Sequence, residues 1–203
     1  MNDFKKLELM SESDGGVLRT ALAKEAGVAV ASLMKYVRSE GYERVQTGVY
    51  LAPDAERDEE YLLQLRCPKT IFSHDSALYL HGLVNRETLP SAPLRATVTA
   101  PTGYNPEHLT KDGVKVYTIK AELFDVGAST VQTALGHEVR VYDRERTICD
   151  IVRSRNTMEK QLFYDALRAY ARSREKNLQT LMDYAKLFHV DKLVQDYMAL
   201  LIG

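Results

Sequence analysis

Thr20-Ala21-Leu22-Ala23-Lys24-Glu25-Ala26-Gly27-Val28, followed by Val30-Ala31-Ser32-Leu33-Met34-Lys35-Tyr36-Val37-Arg38-Ser39, decides how this chain is read. The first run is made of strong helix formers, Thr20 stands where a hydroxyl can accept an orphan first-turn amide, and Gly27 closes the helix. In the second run the helical wheel gathers Val30, Leu33, Met34 and Val37 on one side and Ala31, Ser32, Lys35 and Ser39 on the other. One face packs and one is free. Two short helices joined by a turn at Gly27-Val28 match the helix-turn-helix unit, whose second helix enters the major groove of DNA.

The flanks extend this pattern. Phe4, Leu7 and Met10 recur at helical spacing, which predicts an amphipathic helix over residues 2 to 11, stopped by Ser13-Asp14-Gly15-Gly16. Downstream, Glu43 to Leu51 reads as two short strands about a turn at Thr47-Gly48, a wing. Residues 1–53 therefore read as a winged helix-turn-helix. The expected DNA contacts are Ser32 and Lys35 on the free face, Tyr36 and Arg38 flanking them, and Arg44, Gln46 and Thr47 on the wing, within reach of phosphate or minor groove. Five Lys or Arg face three Glu between Arg19 and Leu51, so one copy binds phosphate weakly and needs a dimer or a second basic surface. Small Ala31 and Ser32 at the front of the reading helix allow close approach but supply few base-specific hydrogen bonds. The competing reading is a protein-interaction module in which Lys35 and Arg38 merely solvate a helix.

The acidic stretch Pro53 to Glu60 reads as a linker or the first turn of a new helix, and the domain boundary is placed near residue 53. Tyr61, Leu62 and Leu65 predict a helix ending at Pro68. Ser73 then caps a short helix that carries Ala77, Leu78 and Leu80 and ends at Gly82. Beyond Pro90, alternation over Leu94 to Ala100 and Val114 to Ile119, and a hairpin from Val131 to Val141 about Ala134-Leu135-Gly136, predict a small mixed or antiparallel sheet.

From Asp143 onward the pattern is helical. Ile148, Ile151 and Val152 define an inner face, with Arg144, Arg146, Arg153 and Arg155 outside it or at its margins. A helix from Met158 to Arg172 turns Leu162, Phe163, Ala166 and Tyr170 inward and Gln161, Asp165, Arg168 and Arg172 outward. Two last helices cover Leu178 to Phe188 and Lys192 to Leu201. The expected class is α+β: a winged helix-turn-helix, then a mixed α/β domain over 54–203 with a small sheet over about 70–142 and a helical bundle over about 143–203. Ten Lys or Arg against six Asp or Glu between Arg140 and Lys176 suggest a second basic surface of Arg140, Arg144, Arg146, Arg153, Arg155, Arg168, Arg172 and Arg174. Such a face suits DNA, RNA or an acidic protein.

Composition narrows the function classes. With 203 residues the chain can bury two small cores, and a net charge of −1 gives no global basic excess. Cys67 and Cys149 stand more than eighty residues apart, which speaks against a zinc ribbon or disulfide framework and for buried thiols in a reducing cytosol. The start lacks an apolar leader core, and no stretch reaches the roughly 18 apolar residues of a membrane span, so a cytoplasmic protein without membrane contact is expected. His74 and His81, seven apart with Asp75 beside the first, could ligate a metal, but no third ligand has motif spacing. Asp112, Lys115 and Glu122 lack a nuclease-like spacing, and Gly103-Tyr104-Asn105 lacks the lysine and hydroxyl of a phosphate loop. No catalytic residue, metal or cofactor is assigned, and no enzyme is expected.

Several segments in order carry a family resemblance. They are Gly16-Val17-Leu18 with Thr20, Gly48-Val49-Tyr50, Phe72-Ser73-His74 with Ala77-Leu78 and His81-Gly82-Leu83, Pro101 with Gly103-Tyr104-Asn105, and Val141-Tyr142-Asp143 with Glu145-Arg146-Thr147 and Asp150. Across nearly the whole chain these resemble the abortive-infection AbiEi family of antitoxins, the repressor halves of type IV toxin–antitoxin systems in phage defence. The resemblance implies an N-terminal domain that represses its own operon at inverted repeats in double-stranded DNA. It also implies a C-terminal domain that counters a nucleotidyltransferase-like toxin without a stable complex, and help from both domains in operator binding. The protein is then a monomer in solution or a weak dimer on DNA. The alternatives are a protein-binding module that contacts the toxin directly and an enzyme that reverses the toxin's modification.

Overall fold

The computed structural model describes residues 1–89 and 96–202, and the chain is α+β. Its contacts divide it into two units, Met1–Arg66 with Thr133–His137, and Cys67–Gln132 with Glu138–Gly203.

In the first unit, helix α1 (Asp3–Ser13) is capped by Asn2, whose side chain accepts from the Lys5 amide. Strand β1 (Val17–Arg19) then runs directly into helix α2 (Thr20–Glu25). Thr20 is therefore not the cap expected from the sequence. Arg19 holds that position without a side-chain cap bond, because the extended chain of β1 continues to the helix start and the Thr20 amide donates to Gly48 O at 2.8 Å. Helix α3 (Val30–Ser39) spans the residues its periodicity indicates. Strands β2 (Glu43–Gln46) and β3 (Val49–Leu51) turn at Gly48, whose φ of 74° is open to glycine at little cost. The sheet is antiparallel in the order β1-β3-β2, with Tyr50 opposite both Leu18 and Arg44. Leu7, Leu18, Ala23, Val28, Leu33, Tyr36, Val37 and Tyr50 form the core beneath it.

Helix α4 (Glu59–Arg66) belongs to this unit, although the sequence places the division near residue 53. The reason is Asp58, buried within the acidic run that reads as a linker. Its Oδ1 accepts from the Tyr61 amide at 3.0 Å, while its Oδ2 accepts from Thr133 Oγ1 at 2.5 Å and lies 2.7 Å from His137 Nδ1. Tyr61 stacks on the His137 ring at 4.1 Å and donates its hydroxyl to Asp14 at 2.7 Å.

The second unit is built on a mixed five-stranded sheet. Strands β4 (Ile71–Phe72), β5 (Ala96–Pro101), β6 (Val114–Ile119), β7 (Ala128–Gln132) and β8 (Glu138–Tyr142) lie in the order β6-β5-β4-β8-β7. The pairs β5–β6 and β4–β8 are parallel, and β4–β5 and β7–β8 antiparallel. Helix α5 (His74–Leu80) follows β4, α6 (Glu107–Lys111) bridges β5 to β6, and α7 (Ala121–Phe124) follows β6. Leu94, where strand alternation begins in the sequence, lies outside the described residues.

Four helices complete the unit: α8 (Arg144–Arg153), α9 (Lys160–Arg172), α10 (Leu178–Leu187) and α11 (Asp191–Ile202). Helix α8 starts at Asp143, whose carboxylate accepts from the Arg146 amide at 2.7 Å, and every residue from Glu145 to Val152 is buried. It packs against α5, α9 and α10, so the helix that looks amphipathic is enclosed on nearly all sides. Cys67 and Cys149 are buried and unpaired with each other. Among the described residues no helix is long and apolar enough to cross a membrane.

Candidate nucleic-acid interface

Helix α3 presents Ala31, Lys35, Arg38 and Ser39 to solvent and leaves Ser32 half-buried. Its N-terminus is capped by no side chain, since Ala29 occupies the cap position, so first-turn amides remain available to an anion. The inward face is Leu33, Tyr36 and Val37. Tyr36 is thus corrected from a flanking DNA contact to a core residue. It is 8% exposed and meets Phe4 edge-on at 5.2 Å and Tyr42 at 5.8 Å, and burial pushes its hydroxyl up to about 12. Val30, expected inward, is 42% exposed at the first turn.

In the β2–β3 hairpin, Arg44 and Thr47 are exposed and Gln46 is half-buried, with a register shift between Arg44 and Gln46. The charges of the first unit divide into two sets. Arg19 pairs with Asp14 at 3.3 Å, Arg57 with Glu43 at 3.3 Å and with Glu59 at 3.0 Å, and Lys5 with Glu8 at 2.7 Å. Lys35, Arg38 and Arg44 make no ion pair among the described residues, nor does Lys24 in α2, which the sequence reading did not single out. The uncompensated cations thus include those of α3 and the β2–β3 hairpin.

The arginines of the second unit are different. Arg140 pairs with Asp125 at 3.1 Å, Arg144 with Glu175, Arg153 with Asp150 at 3.2 Å and Arg168 with Asp165 at 3.4 Å. Arg155 donates to Val152 O at 3.1 Å. Arg172 and Arg174 are exposed and make no ion pair among the described residues. Arg146 is not a surface residue at all, being 0% exposed. Arg146 apart, four of the eight expected arginines, Arg140, Arg144, Arg153 and Arg168, thus meet a carboxylate: Asp125 after α7, Glu175 after α9, Asp150 in α8 and Asp165 in α9.

His74 and His81 are not brought together. His81 sits past the end of α5 and its Nε2–H donates to Tyr142 O at 2.7 Å. His74 begins the helix at φ 47°, buried against Tyr117 with ring centroids 3.6 Å apart. Among the described residues there is no cluster of three or more metal-ligating side chains. Tyr104, Asn105 and Gly103 form the turn into α6, with Asn105 Oδ1 accepting from the Glu107 amide at 3.1 Å.

Burial lowers the His74 pKa to about 3, with Lys115, Arg153 and Arg146 acting in the same direction. The unfolded chain takes up this proton near pH 6.5 and the folded chain only near 3, so stability is lost as pH drops from about 6.5 towards 3, by about 1.4 kcal/mol per unit. His74→Asn, which tolerates the positive φ, is expected to flatten this slope in urea unfolding. An unchanged slope would contradict it.

No family model matches the chain, and no curated protein does. Among solved structures it is similar to the RV2827C protein from Mycobacterium tuberculosis, with a TM-score of 0.62 at 13% identity over 98% of this chain and 78% of that one. This likeness concerns the fold alone.

Proposed function

We propose that the chain is an antitoxin and transcriptional autorepressor of a type IV system, with its first unit acting as a winged helix-turn-helix. In this reading α3 enters the major groove of the operator, the β2–β3 hairpin is the wing, and α2 lies across the backbone. The order α1-β1-α2-α3-β2-β3 with its three-stranded sheet supports the assignment. The observation that carries it is charge: Lys35, Arg38 and Arg44 are exposed without carboxylate partners among the described residues, whereas Arg19 and Arg57 of the same unit are paired. Unpaired cations can replace condensed counterions on phosphate without first breaking an internal pair.

Ser32 and Thr47 supply short polar contacts and Gln46 a limited one, so sequence readout is sparse and affinity depends on two copies engaging inverted repeats. The second unit counters a nucleotidyltransferase-like toxin without forming a stable complex. Direct docking of an acidic toxin surface on its arginines is the weaker reading, because Arg140, Arg144, Arg153 and Arg168 already meet carboxylates. The test is Lys35→Ala with Arg44→Ala in the full chain. Binding to operator DNA is expected to weaken at least tenfold, with the salt slope reduced by about two for two lost phosphate contacts. An unchanged isotherm would show that these residues are not the reading face.

A further inference from the structure

The second unit holds a cavity of about 190 Å³ lined among others by His74, Tyr117, Arg146, Asp150, Arg153 and Ser154. We propose that this cavity binds the phosphoryl group of a small ligand, with Arg146, Tyr117 and Ser154 as hydrogen-bond donors and Arg153 as an added positive charge. The site is independent of the DNA-binding reading of the first unit.

Two buried donors at the cavity are unmet. Arg146 gives Nε to Asp150 at 3.0 Å and Nη1 to Val126 O at 2.7 Å and Leu123 O at 3.1 Å, but Nη2 is buried with no hydrogen-bond partner among the described residues. Its guanidinium is clamped between the rings of Tyr142 and Phe188, each at 4.1 Å, so it cannot swing out to find one. The Tyr117 hydroxyl is likewise buried and unpartnered among the described residues. Orphaned buried donors are costly and rare in folded proteins, and a ligand that accepts from both removes the cost.

A third donor is delivered through His74. Ser73 Oγ accepts from Thr99 Oγ1 at 2.9 Å and lies 3.1 Å from His74 Nδ1. His74 Nε2 lies 3.0 Å from Ser154 Oγ, and in the tautomer with its proton on Nε2 the ring donates to that oxygen and leaves the Ser154 hydroxyl proton for the cavity. His74 holds this position at a positive φ that a non-glycine residue rarely adopts, and such strain gathers at functional sites.

Asp150, the carboxylate that lines the cavity, is engaged. Asp150 Oδ2 takes Arg146 and Oδ1 takes Arg153, whose side chain remains 40% exposed. Two arginines against one carboxylate leave the lining positive, while Lys115 lies near both His74 and the Asp75 carboxylate. Convergent donors with net positive charge select an oxyanion. The volume lies below the roughly 300 Å³ at which drug-sized pockets begin, so a phosphate enters and the rest of its ligand remains outside.

The test is calorimetric titration of the full chain in phosphate-free buffer with inorganic phosphate, a nucleoside 5′-monophosphate and the matching nucleoside. Saturable binding of a phosphate-bearing ligand and none of the nucleoside is expected. Tighter binding of the monophosphate assigns a phosphate ester, and equal binding assigns free phosphate. Tyr117→Phe and Arg153→Gln are each expected to weaken binding about tenfold, as loss of one hydrogen bond or charge at an anion does. Tyr117→Phe should leave the melting temperature unlowered, since the hydroxyl has no protein partner to lose. Absence of saturable phosphate binding, equal binding of the nucleoside, or unchanged affinity in both variants would overturn the proposal.

Discussion

Arg146→Ala is expected to destabilise the second unit by roughly 3–5 kcal/mol, the range for breaking a buried ion pair from one side. The substitution removes the Nε partner of Asp150 and the Nη1 donor of the Leu123 and Val126 carbonyls, and opens a gap between the Tyr142 and Phe188 rings. Asp150 is left buried with Arg153 as its remaining arginine. Burial already pushes the Asp150 pKa up, and the two arginines oppose that, so losing one shifts the carboxyl further towards its protonated form. Lysine cannot replace Arg146, because one ammonium cannot serve a carboxylate and two carbonyls in a planar fork while stacked between two rings. Gly127 shows how tightly the arginine is held: a Cβ there would come within 2.6 Å of Arg146 Cβ. Urea unfolding measures the effect, and a loss below about 1 kcal/mol, the scale of an exposed ion pair, would contradict this account.

Asp58→Ala is expected to cost the first unit about 3 kcal/mol, because one buried carboxylate serves three partners. Its loss uncaps α4 at the Tyr61 amide and leaves Thr133 Oγ1 and His137 Nδ1 facing an apolar methyl. The Tyr61–His137 stack loses the anchor that sets the imidazole, and with it the approach of Tyr61 to Asp14. Asp58→Asn keeps an oxygen for the cap but cannot accept at both carboxylate oxygens, so it is expected to fall between wild type and alanine. Amide exchange in α4 reads the effect locally. Equal protection in wild type and Asp58→Ala would refute the anchoring role.

Features set by local periodicity were legible in the sequence. Helix α3 and the Gly48 turn follow from apolar spacing and from glycine at a positive φ. Strand β1 was not legible: it is three residues long and exists because Val17 to Arg19 pair with Val49 to Leu51 far along the chain. Asp58 is the same case in a charged run, since its partners Thr133 and His137 lie more than seventy residues away. Tyr36 lies beside the free face on a helical wheel, and only Phe4 and Tyr42 from other elements decide that it turns inward.

Arg146 marks the largest departure. Residue type placed it outside α8, while the carbonyls of Leu123 and Val126 and the rings of Tyr142 and Phe188 drew it inside. The interleaved carboxylates Asp125, Asp150, Asp165 and Glu175 then neutralise much of the arginine excess that a count by residue type suggests. The cavity beside Arg146 was invisible for the same reason, as its walls come from α5, β5, β6 and α8.

The claim that this chain is an operator-binding repressor is tested most directly by a salt-titrated gel shift of the full chain on the DNA upstream of its own gene, with unrelated DNA as competitor. The expected result is a shift that survives competition, weakens steeply as salt rises, and needs at least tenfold more protein in the variant carrying both Lys35→Ala and Arg44→Ala. Equal affinity for the two DNAs at every salt concentration, or no shift at all, would contradict it.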